Sequence, residues 1–92
     1  MVYIKSEDIY WAFKEGLAVV KDSTNDLFFP LDDVGSLIWD MIDGVNSVED
    51  IATEIVSEFD IDEETAKEDL LVFINELMDY QLIRIVETEK SM

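Results

Sequence analysis

Apolar and polar residues alternate from Ile9 to Glu15 (IYWAFKE), with Ile9, Trp11 and Phe13 on one side and Tyr10, Ala12 and Lys14 on the other, the period of a half-buried strand. Glu15-Gly16 supplies a tight turn and Leu17 to Lys21 (LAVVK) reads as a second strand. The polar run Asp22-Ser23-Thr24-Asn25-Asp26 then closes a hairpin onto a third strand, Leu27 to Pro30. Pro30 has no N–H to give a ladder, so this strand ends there or lies at a sheet edge. Short strands with tight connections imply an antiparallel meander whose third strand has one assured neighbour. Ahead of the meander, Met1 to Asp8 is expected as a loosely held lead-in, with Val2 and Ile4 able to form a short strand.

After Pro30 the period becomes helical. Asp32 is placed to accept from the free N–H groups of a first helix, whose apolar positions Val34, Leu37, Ile38, Met41 and Ile42 recur until Gly44 ends it. Ser47-Val48-Glu49-Asp50 reads as a capping box opening a second helix, with the stripe Val48, Ile51, Ala52, Ile55, Val56 and Phe59 and a stop near Asp60. Asp62 caps a third, longer helix that runs to about Tyr80, with Glu63 and Glu64 in the first turn, where the helix dipole favours negative charge. Its stripe is Ala66, Leu70, Phe73, Ile74 and Leu77, widened by Asp69, Glu76 and Tyr80 on one flank and by Leu71 and Met78 on the other. An apolar arc this wide is either covered on two sides or presents one side to a ligand. Leu82 to Val86 reads as a last short strand or an extended tail, and Glu87 to Met92 as a frayed end.

Composition narrows the chemistry. Ninety-two residues at 49% hydrophobic content suit a single domain over 1–92 with its core over about 9–86. With no Cys and no His, thiolate chemistry, disulfides and the commonest general base and metal ligand are all missing, so an enzyme is the least favoured class. No apolar run approaches the roughly 20 residues that span a bilayer, and the expected location is the cytoplasm. Six Lys and Arg against 23 Asp and Glu give a net charge of −17, which disfavours nucleic acid and anionic membranes and favours basic or neutral partners. The carboxylate runs Asp32-Asp33 and Asp62-Glu63-Glu64 lack the alternation of a calcium loop, and helix capping accounts for them; no metal or cofactor is expected.

Strands followed by three helices in so short a chain point to an α+β winged helix-turn-helix-like domain, a three-stranded antiparallel N-terminal sheet followed by three helices. DNA-binding relatives of that architecture carry Lys and Arg on a recognition helix, whereas the only basic residue between Asp40 and Asp69 is Lys67. The scaffold is present without the DNA chemistry.

The stretch LFFPLDDVGSLIWDMIDG, followed by SVEDIATEIVSEFDIDEETAKEDLLVFINELMDYQLI, resembles the PqqD-like family. That family comprises the small pyrroloquinoline quinone synthesis protein D and the recognition domains of ribosomally made, post-translationally modified peptide pathways. The resemblance spans about Tyr10 to Ile85. It is carried by Leu31, Asp32, Ile38, Trp39 and Gly44 in the first motif and by Asp69, Phe73 and Leu77 in the second. The Ile38-Trp39 pair and the Asp69-Phe73 spacing look most like the stand-alone leader-binding component of lasso-peptide systems. Two departures stand out: Gln81 where the family often has Gly, and Pro30 where it usually has another residue.

The resemblance implies a non-catalytic adaptor that binds the leader of a precursor peptide as an added strand beside the third strand and presents it to a leader peptidase, a cyclase or a radical SAM enzyme. The peptide-binding residues it implies are Leu27, Phe28, Phe29, Pro30, Asp69, Leu70, Phe73 and Glu76, with the protein a monomer or weak dimer. An edge strand offers unpaired N–H and C=O groups, and an adjoining apolar helix flank offers pockets, so the residues suit that role. From the residues alone two other readings stand: Phe28 and Phe29 as core residues of a covered strand, and the whole chain as an acidic module docking a basic protein. Trp39 reads as a core anchor of the first helix.

Overall fold

The computed structural model describes residues 2–23 and 26–86. In chain order they form β1 (Val2–Lys5), β2 (Ile9–Lys14), β3 (Leu17–Asp22), β4 (Leu27–Pro30), α1 (Asp33–Met41), β5 (Asp43–Ser47), α2 (Val48–Phe59), α3 (Glu63–Asp79) and β6 (Ile83–Ile85). The strands make two antiparallel three-stranded sheets, ordered β2-β3-β4 and β5-β1-β6, so the fold class is α+β. The expected meander is the first sheet. Its β2–β3 hairpin pairs Ile9 with Asp22 and Lys14 with Leu17 across Glu15-Gly16, both at positive φ (54° and 84°), as a two-residue turn matched to strand twist requires.

The second sheet departs from the pattern reading. Residues 2–5 are no loose lead-in: β1 is the central strand, flanked by β5 and β6. Helix α1 stops at Met41 instead of running to Gly44, and 43–47 form a strand. The cause is local. The Asp43 carboxylate accepts from the N–H of Val45 (2.9 Å) and Asn46 (3.0 Å), which turns the chain, and Gly44 takes φ +84°. A Cβ on Gly44 would stand 3.2 Å from the Ile4 side chain, so this glycine also lets β5 close on β1. Those backbone bonds hold the Asp43 carboxyl below the usual carboxylate range. Met1, Thr24 and Asn25, and Glu87 to Met92, lie outside the described residues.

The core is built where the helices cover the sheets. Trp39, Ile38, Ile42, Ile51, Ile55, Leu70, Ile74, Leu82 and Val20 are its largest fully buried side chains. The Trp39 ring meets Trp11 edge-on (5.8 Å between centroids, 77°), and the Lys5 ammonium lies 5.0 Å from the Trp11 centroid and 5.2 Å from that of Trp39. Lys5 also donates to the Ile42 carbonyl (2.7 Å), tying β1 to the end of α1. Burial lowers its pKa, while Asp40 and Asp43 act in the opposite direction.

Each helix starts on the residue its pattern indicated. Asp32 accepts from Gly35 N–H (2.7 Å). Ser47 and Asp50 complete the reciprocal box, and Asp62 accepts from both the N–H (3.1 Å) and the hydroxyl (2.8 Å) of Thr65. Helix α3 ends in a Schellman turn: Leu82 N–H donates to the Leu77 carbonyl and Gln81 N–H to that of Met78, both at 2.9 Å. Gln81 occupies the left-handed position of that turn at φ +61°, where glycine carries no Cβ penalty.

Gln81→Gly is therefore expected to stabilise the protein by about 0.5–1 kcal/mol, read as a rise in Tm of several degrees by circular dichroism. A second expectation concerns acid. The Thr65 bonds lower the pKa of Asp62 in the folded protein, so its contribution is present above the unfolded carboxylate pKa and lost as pH falls through the folded one. Asp62→Asn keeps an acceptor but does not titrate, so its Tm should fall less steeply than that of the parent below about pH 4. Parallel slopes would remove this assignment.

Candidate functional site

Which backbone groups of β4 are free follows from the ladder. Leu31 N–H donates to the Ala18 carbonyl (2.9 Å), and bonded pairs alternate along an antiparallel ladder. With the register Asp22↔Leu27, Lys21↔Phe28, Val20↔Phe29 and Val19↔Pro30, it is Leu27, Phe29 and Leu31 that turn their polar groups toward β3. The tight hairpin agrees, because Lys14 opposite Leu17 directs the odd-numbered residues of β3 toward β2 and leaves Ala18, Val20 and Asp22 for β4. Phe28 and Pro30 therefore face outward. Among the described residues no strand pairs with that side, and β4 is an edge.

Along this edge runs a groove of about 240 Å3. On one side it is lined by Phe28, Phe29, Pro30 and Leu31, and on the other by Phe73, Glu76, Leu77 and Tyr80 of α3 and its cap, with Leu82 beyond them. The rings of Phe29 and Tyr80 meet at 4.8 Å and 55°, which holds the end of α3 against β4. Phe73 fits because α1 has no side chain opposite it: a Cβ on Gly35 would lie 3.3 Å from Phe73 Cζ. Glu76 is the one charged residue of the lining.

The expected site residues separate accordingly. Phe28, Phe29, Pro30, Phe73 and Glu76 come together in the groove. Leu27 is exposed on β4 next to it, and Asp69 is exposed one helical turn before Phe73. Leu70 is placed differently: at 0% exposure it belongs to the core and lines no part of the groove. Leu31, Leu77, Tyr80 and Leu82 were not among the expected residues and do line it. Tyr80 was legible in principle, since it lies with Asp69 and Glu76 on one flank of the α3 stripe. Leu82 was not, because only the Schellman turn brings it back beside Leu77.

Two other hollows are less suited to a strand. One of about 420 Å3 lies between the β2–β3 turn and α1, lined by Phe13, Gly16, Asp33, Ser36, Leu37 and Asp40. It is larger, but β2 gives it only Phe13, whereas β4 gives its own groove three of its residues. The other, about 240 Å3, sits on the outer face of the first sheet around Tyr10, Ala12, Val19 and Phe28. Among the described residues no group of three or more potential metal ligands is found, and no helix is long and apolar enough to cross a membrane.

Residues 18–83 match the model of the family described as coenzyme PQQ synthesis protein D (PqqD). The chain belongs to the PqqD family. Two solved structures share its fold. One is described as TbiB1 in complex with the TbiA(beta) leader peptide, at TM-score 0.83 and 26% identity over 92% of this chain and 99% of that one. The other is a lasso peptide synthetase B1 complexed with the leader peptide, at TM-score 0.83 and 19% identity over 92% and 100%. No curated protein matches the chain.

The alternation along β4 has a direct test in folding. Phe29→Pro deletes an N–H bonded to β3, whereas Phe28→Pro deletes one that faces outward, so, each measured against the Ala variant at the same position to remove the effect of the lost ring, Phe29→Pro should cost about 1 kcal/mol more. Thermal melts of these variants check this, and equal losses would mean that the outer side of β4 is not free.

Proposed function

We propose that this PqqD-family protein is a non-catalytic adaptor that binds the leader segment of a ribosomally made precursor peptide. The leader lies down as an added strand on β4, and the adaptor presents it to a processing enzyme, a leader peptidase or cyclase or a radical SAM enzyme. The observation that carries this reading is the coincidence of an unpaired strand edge with an apolar groove along the same strand. Main-chain bonds to the edge supply affinity, and the groove selects side chains. The relative at 26% identity, described in complex with a leader peptide, supports the choice of ligand.

The roles then divide by position. The backbone of β4 receives the strand, Phe73, Leu77 and Tyr80 contact the side chain that enters the groove, and Glu76, with Asp69 farther along α3, holds a basic residue of the leader at the rim. The gain from an adaptor is effective concentration, since a leader held beside the enzyme brings its core segment with it. With neither His nor Cys in the chain, the chemistry is assigned to the partner enzyme. We read residues 1–92 as one domain acting in the cytoplasm, with the three helices and the three-stranded sheet β2-β3-β4 as its wing arranged as a winged helix-turn-helix.

Isothermal titration of the purified protein with the leader encoded beside its gene is expected to show saturable one-to-one binding. Tyr80→Ala should weaken it about tenfold, or about 1.4 kcal/mol, and lower Tm by no more than the few degrees that its contact with Phe29 supports, because the residue is 53% exposed. Reversing the charge at Glu54, Glu58 or Glu63, away from the groove, should leave binding nearly unchanged. The opposite ranking would favour an acidic surface that docks a basic protein.

A further inference from the structure

The open edge of β4 is chemically lopsided. An ordinary strand presents one donor and one acceptor at every outward residue. Here the outward residues are Phe28 and Pro30, and Pro30 has no N–H. What remains is the N–H and C=O of Phe28 and the C=O of Pro30. None of these three groups is engaged by another described residue.

We infer that Pro30 decides which backbone groups of the bound polypeptide this edge engages, by withdrawing the one donor that residue 30 would otherwise offer. The edge takes a chain that brings two N–H donors two residues apart and a single carbonyl acceptor for Phe28. The carbonyl that an ordinary residue at position 30 would have engaged stays unpaired. The count is the same for a parallel or an antiparallel guest, because either orientation uses the same three host groups. Between the two donors lies one peptide residue whose own N–H points away from β4, so this position carries no backbone requirement at all.

Pro30 also limits misuse of the edge. An edge with one donor is a poor template for a second copy of β4, since two such strands bring only two N–H groups to four carbonyls, and a proline on an edge is a recognised protection against edge-to-edge pairing. A leader with a full set of N–H groups meets no such obstacle. The same proline thus disfavours self-association and admits a guest that leaves one carbonyl unpaired.

This inference rests on the strand-addition reading, and the experiment separates the two. The synthetic leader is compared with single amide-to-ester variants, each replacing one N–H by oxygen, in titrations against the unaltered protein. Two ester positions, two residues apart, are expected to weaken binding about 2- to 12-fold each, the equivalent of one hydrogen bond, with the position between them silent and a smaller loss at the position flanking one of them on its far side, where the carbonyl that accepts from Phe28 N–H becomes an ester. Against Pro30→Ala, which restores a donor, the unmodified leader should bind about 2- to 12-fold more tightly. The formerly silent ester should now be harmful, because it turns the newly engaged carbonyl into a weaker ester acceptor. Saturable binding with a flat ester profile, or a Pro30→Ala protein indistinguishable from the parent, overturns the role of Pro30 and leaves the adaptor reading standing. Absence of saturable binding removes both.

Discussion

Ala18 is the residue on which the working edge depends. Its carbonyl accepts from Leu31 N–H and its N–H donates to the Ser36 hydroxyl (2.7 Å), both on the β4 side of β3. At this point a strand partner is exchanged for a helix side chain, and α1 begins where β4 ends. Ser36 is almost fully buried, so the exchange leaves neither partner wanting at a place where an unpaired group is costly. The seat of α1 on β3 fixes the phase of β4, and the phase decides which of its backbone groups face solvent.

The groove inherits its walls from that seat. Gly35 lies one residue before Ser36, and the space above it admits Phe73 from α3. Tyr80 then reaches Phe29 at the other end of the wall. Leu70 and Ile74 anchor the opposite side of α3 in the core, so the helix is held by one face while another borders the edge strand.

Charge serves the scaffold more than any reaction. Asp32, Asp50, Asp62 and Asp43 spend their oxygens on backbone N–H groups at helix starts and one turn. The rest of the acidic excess sits mainly on the outer faces of the helices, where it suits a partner or guest with basic residues. Against this background Lys5, held between Trp11 and Trp39 and bonded to the end of α1, joins the two sheets through a cation.

Most of what near neighbours set was legible in the sequence: the alternation of β2, the tight turn, the three helix caps, the stop at Pro30, and the α3 stripe through Phe73 with Glu76 on its flank; the Asp43 turn and the Schellman turn were the short-range exceptions. These features obey a period of two or of 3.6, or a bond spanning three residues, and such rules act within a short window of chain. Only the tertiary structure decided the rest. β1 is central because β5 and β6, distant in sequence, pair on either side of it, and α1 yields its last turn to β5 because that strand completes the second sheet. Leu70 and Phe73, one turn apart on α3, part company for the same reason: periodicity says that a residue is apolar and faces inward, while only packing against β4 and Gly35 says whether inward means the core or the groove.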